Sequence, residues 1–102
     1  MQIRVASGQA AELLSPEDFR RFSVLAERRD RKEPEAELAA LGRRDGEHVW
    51  IDPERIGQMA GAARTAAWDA QFKGMIGFAA KHGWVDEAGH VRAHIEYSDS
   101  DD

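Results

Sequence analysis

Four histidines stand at positions 48, 82, 90 and 94, and the last two are four residues apart within GWVDEAGHVRAHIEY, residues 83–97. On a helix, His90 and His94 would project from one face and share a metal ion, with His82 and Glu96 close by. The stretch does not read as a helix. Val91, Ala93, Ile95 and Tyr97 alternate with His90, Arg92, His94 and Glu96, which is the period-two signature of a half-buried strand. In a strand rising about 3.3 Å per residue, positions four apart are separated by about 13 Å, too far for two bonds of about 2 Å to one ion. Neither a metal nor a cofactor is expected.

The remaining polar residues are not framed for catalysis. No serine sits in a nucleophile elbow, no glycine run resembles a phosphate loop, and no carboxylate pair is flanked by the aromatics of a carboxylate-pair hydrolase. His48, His82, His90, His94, Asp52, Asp69 and Glu96 are candidates for acid–base work, but their spacing gives them no common geometry. Asp52 reads as a helix cap, and Asp69 with Lys73 as an i,i+4 surface pair. A small enzyme using a histidine as base is therefore an alternative with no assigned catalytic residue. The chain has no cysteine, which excludes disulfides, thiolate zinc sites, iron–sulfur clusters and thiol nucleophiles.

Aromatic residues offer a different chemistry, that of recognition. Trp50, Trp68 and Trp84, with Phe72, Phe78 and Tyr97, are a heavy load for 102 residues. Core packing accounts for most of them. Trp50 shares a strand face with His48, so His48, Trp50 and Trp68 are the candidate surface for a partner or ligand.

The elements that must position these residues follow from periodicity and caps. Ile3 and Val5 alternate with Arg4 in a first strand at 3–6. SPEDF opens a helix from Ser15 to about Asp30, with Ser15 as cap, Pro16 at the first position and Phe19, Phe22 and Val24–Ala26 as its apolar face. Residues 27–47 are charged and poor in large apolar side chains, so they read as a mobile connection carrying one short helix from Pro34 to Leu41, stopped by Gly42. HVWID gives a second strand at 48–51, running into a helix capped by Asp52 with Pro53 first. From Pro53 to His82 the composition is helical, as one helix or as two divided near Gly61 or Gly74, and Gly83 suits the left-handed position after its end. Trp68, Phe72, Met75, Ile76 and Ala79 form its bulky seam. Trp84 and Val85 pair with the 91–97 strand through the DEAG turn to make a C-terminal hairpin. Residues 98–102, SDSDD, cannot bury apolar area and read as a disordered acidic tail.

This order of helix, strand, helix, helix and hairpin resembles the layout of a winged helix-turn-helix domain. DPERIGQMAGAART looks like the capped first helix and turn of such a motif, and FAAKHGWV like the end of a recognition helix leading into a wing. The resemblance implies DNA read by the second helix and steadied by the wing, with Arg64, Lys73 and Arg92 on phosphates. Charge opposes it. The net charge is −5, and the turn of the supposed wing carries Asp86 and Glu87. The basic residues gather instead at 20–44, where eight Arg and Lys face five acids.

The sequence thus predicts a single α+β domain over residues 1–97, two main helices on a small sheet with a C-terminal hairpin, and the winged helix-turn-helix as the alternative fold. It predicts a cytoplasmic, non-catalytic binding module that docks on a protein partner or forms a homodimer. Nucleic acid is the disfavoured partner, and no window is apolar enough for a membrane span.

Overall fold

Alternation of apolar and polar side chains builds the sheet. In the computed structural model, which describes residues 1–100, six strands are β1 (Gln2–Val5), β2 (Glu12–Leu14), β3 (Ser23–Arg29), β4 (Arg43–Asp45), β5 (His48–Ile51) and β6 (Val91–Ser100). They form one mixed sheet in the order β2-β1-β3-β6-β5-β4, not closed into a barrel. The centre is parallel: β3 lies between β1 and β6, so that Ile3, Val24 and Ile95 fall in one row. The flanks are antiparallel, and on one of them Val49 faces Ala93 and Ile51 faces Val91. All of these apolar residues are buried.

Three helices cover that apolar face: α1 (Glu35–Leu41), α2 (Pro53–Ala60) and α3 (Ala66–Lys81). Leu38 and Leu41 from α1, Ile56 and Ala60 from α2, and Trp68, Phe72 and Ala79 from α3 join the strand residues in one core. Each large aliphatic side chain buried there stabilises the fold by about 1.5–3 kcal/mol. Caps fix where the helices begin. The Asp52 carboxylate accepts from the Glu54 N–H at 3.0 Å, and the Thr65 hydroxyl accepts from the Trp68 N–H at 3.1 Å. Gly61, at φ 53°, ends α2, and a single 3-10 turn at Gly61–Ala63 divides it from α3. The stretch 53–82 is therefore two helices, broken at the first of the two expected glycines.

Several expectations are corrected. The helix expected from Ser15 to Asp30 does not form: Ser15 takes a left-handed φ of 49°, which no helix start can use, and the chain turns there, with the Asp18 N–H donating to the Ser15 carbonyl at 3.0 Å. The residues beyond become β3, because Val24 and Ala26 alternate with Ser23, Leu25 and Glu27, and two parallel neighbours satisfy the backbone on both sides. The C-terminal hairpin reduces to one bridge between Val85 and Val91, while β6 itself is a central strand. With no first helix and no free wing, the winged helix-turn-helix layout is absent. The segment 27–47, expected as a connection, carries the end of β3, the foreseen α1 and the edge strand β4. Of the expected acidic tail, Ser98–Ser100 belong to β6, and its last residues lie outside the described ones.

Candidate functional site

The face of the sheet away from the helices is uncovered and polar, and it brings together the histidines that the sequence kept apart. His48 on β5 stands opposite His94 on β6, with ring centroids 5.3 Å apart. Beside them Trp50 stands opposite Arg92 and Arg43, whose guanidinium carbons lie 6.0 and 5.4 Å from the indole centroid. The Trp50 indole N–H donates to the Asp45 carboxylate at 3.3 Å. His90 is not part of this group; it lies in the turn before β6.

Neither His48 nor His94 is hydrogen-bonded through its ring among the described residues, so no carboxylate orients an imidazole toward a nucleophile. Among the described residues no three His, Asp or Glu side chains are grouped to hold a metal ion. Trp50 also borders a cleft of about 750 Å³ between the β4–β5 hairpin, α2 and the turn before β6. Its charges are mixed: Arg43 reaches Asp86 at 3.4 Å, with Asp52, Glu54, Arg55 and His90 around the rim. The Asp86 carboxyl is held below its ordinary range chiefly by the His90 backbone N–H, which marks it as a turn cap.

The other expected site residues lie elsewhere. Trp68 is in the core, stacked on Phe72 at 4.7 Å, and its indole N–H donates to the Pro16 carbonyl at 2.7 Å, so it presents no surface. Arg64 is tied to Glu54 and Asp69, each at 3.0 Å, which joins the start of α2 to the start of α3. Lys73 is exposed on α3, on the helical side of the sheet, whereas Arg92 is on the other. Arg64, Lys73 and Arg92 therefore form no common phosphate-contacting surface.

A second concavity is chemically distinct. At the end of α3, Phe78, His82 and Trp84 form an aromatic cluster, with the His82 ring 4.3 Å from Phe78 and 4.8 Å from Trp84. Phe78 is 57% exposed and Trp84 37%, and these are the large apolar side chains left in solvent. They edge a groove of about 110 Å³ whose walls include Phe22 from the segment leading into β3 and Met75 from α3. Arg20 and Arg21 complete its rim, and Arg92 adjoins it through its backbone N–H, which donates to the Trp84 carbonyl at 2.8 Å, while its guanidinium lies over Trp50. The sequence held a signal for part of this. Phe78 falls off the seam Trp68, Phe72, Met75, Ile76 and Ala79, so an aromatic at that angle faces away from the core.

The class defined by these features is a small α+β domain with no grouped catalytic or metal-binding side chains among its described residues. No helix among them is long and apolar enough to cross a membrane. No family model matches the chain, and no curated protein or solved structure shows significant similarity to it.

Proposed function

We propose that this chain is a non-catalytic protein-binding domain that docks on its partner through the aromatic groove at the end of α3. One observation carries the reading: Phe78 and Trp84, the large apolar residues left exposed, converge on one concave site instead of scattering over the surface. Clustered exposed aromatics are the usual anchors of protein interfaces, because each removes much apolar area from water at little entropic cost. Arg92 extends the same surface, since it lines the groove and also lies over Trp50 on the open sheet face.

A second copy of the chain is the alternative partner, favoured by Gly74. It sits one turn before Phe78, is exposed, and has nothing within 4 Å of where a Cβ would stand, so a neighbouring helix has room to approach closely.

Photo-crosslinking separates these readings from the absence of any partner. With p-benzoylphenylalanine at position 78, the protein in its native cells is expected to give adducts of discrete mass, and the same probe at exposed Glu12 on β2 is expected to give none of them. Trp84→Ala should remove the adducts at 78. Adducts equal to twice the chain mass identify self-association. Identical labelling at both positions, or none at 78, overturns the proposal.

A further inference from the structure

The groove is apolar on its walls and cationic on its rim, and the cations have no partners of their own. Three arginines line it and no acid does. Arg4, Arg28, Arg43, Arg44 and Arg64 are each engaged by a carboxylate, whereas Arg20, Arg21 and Arg92 make no ion pair among the described residues, as is also true of Arg29, Arg31 and Arg55 away from the groove. The nearest acid in sequence, Asp18, is already occupied. Its carboxylate lies 3.8 Å from the N-terminal ammonium and accepts from the Arg20 backbone N–H at 3.1 Å. In a chain of net charge −5, two adjacent arginines without ion pairs beside one apolar groove are a local reversal of sign.

We infer that the groove takes an acidic amphipathic segment of a partner protein, one large apolar side chain entering between Phe22, Met75, Phe78 and Trp84 while flanking carboxylates meet Arg20 and Arg21. This rests on the protein-binding reading above and names its ligand. The chemistry of the two zones selects the occupant. A neutral apolar segment would leave the arginines idle, and a basic one would be repelled by them. A single-stranded nucleic acid would match the arginines and stack a base on the aromatic walls, but its backbone meets the net negative charge of the whole domain. The volume of the groove suits one side chain at a time, which is how an amphipathic segment is anchored. Guanidinium groups that pair with carboxylates in bidentate fashion would then fix its register.

The test is a fluorescence-anisotropy titration of the full chain with fluorescein-labelled synthetic peptides. The panel holds 15-residue amphipathic sequences with Leu or Phe on one face and Asp and Glu on the other, each matched by a version with Lys in place of the acids. Acidic peptides are expected to bind at least 10-fold more tightly than their lysine counterparts, and to weaken with added salt. Arg20 and Arg21 are exposed, so the doubly substituted R20E/R21E chain should keep its thermal unfolding profile while reversing the preference toward the lysine peptides. Equal binding of the two sets, or an acid preference unchanged in R20E/R21E, overturns the inference. If no peptide binds while position 78 still crosslinks to a partner, the acidic-segment inference falls and the binding-domain reading stands. If neither occurs, both fall.

Discussion

The backbone N–H of Trp84 donates to the carbonyl of Ala79 at 2.9 Å, closing α3 and laying the indole beside His82 and Phe78. Between them Gly83 takes a left-handed φ of 76° and donates to the Ala80 carbonyl at 3.1 Å, so one helix-ending motif positions one wall of the groove. Gly83→Ala is expected to cost about 1–2 kcal/mol, the penalty of holding an L-residue in that region. Urea denaturation measures that loss. A shift in tryptophan emission in the folded variant would report the displaced Trp84, whereas unchanged stability would mean that α3 can end without the left-handed turn.

Gly42 answers to a different constraint, space rather than torsion. Its backbone is extended, but a Cβ there would lie 2.1 Å from the Trp50 carbonyl oxygen and 3.0 Å from the carbonyl carbon. The clash is with backbone, which cannot swing aside. Gly42→Ala is expected to destabilise by about 1–3 kcal/mol, the usual cost of overpacking, as β5 is pushed from the end of α1. At about 4–8 °C per kcal/mol for a domain near this size, a melting curve resolves it, and a variant melting within a degree of the parent would refute the contact.

The same two glycines show how far the sequence could be read. Gly42 and Gly83 were legible as helix stops, and the strands β1, β5 and β6 were legible from alternation, because local periodicity and capping chemistry determine them. LLSPEDF and WIDPERI carry the same start signals, yet only the second begins a helix. The difference lies in Ser15, whose positive φ is set by the turn into a strand that pairs with β1 and β6, a non-local constraint. β4 was illegible because Arg43–Asp45 is an exposed edge strand with no apolar residue to mark it. The site divides in the same way. Phe78 could be placed outside the core from its angle on α3, but Arg20 and Arg21 meet Arg92 only through the fold around β3 and β6, which sit side by side though distant in sequence.

Acid should loosen the far end of this pair of strands as Glu33 protonates. The Arg44 guanidinium, and after it the Tyr97 hydroxyl donating at 2.9 Å, hold the Glu33 carboxyl below its ordinary value of 4.5. A carboxyl whose pKa is lowered on folding stabilises the native state fully above its unfolded value, and that contribution is lost as pH falls through the folded value. Glu33→Gln is therefore expected to be less stable than the parent at neutral pH and to show a shallower decline below pH 4.5. Urea midpoints across that range measure the two curves. They should converge at the acid end, and parallel curves would show that Glu33 carries none of the acid sensitivity.

Phe72 and Phe78 are six residues apart on α3 and belong to opposite economies of the protein. Phe72 is 8% exposed and stacked on Trp68, while Phe78 is 57% exposed, with its ring 4.3 Å from His82 and 6.3 Å from Trp84. Phe72→Ala removes a buried ring and leaves a cavity, so a loss of about 3–5 kcal/mol is expected. Phe78→Ala removes a ring that water already surrounds on most sides, and its cost to stability should stay within about 0.5 kcal/mol. On the proposed docking reading its contribution appears in binding: with acidic peptides, Phe78→Ala should weaken affinity about 10-fold, the effect of losing one interface anchor of about 1.4 kcal/mol. Paired unfolding and anisotropy measurements on the two variants decide this. A Phe78→Ala chain that loses stability but keeps its affinity would place Phe78 with the core and leave the groove without its anchor.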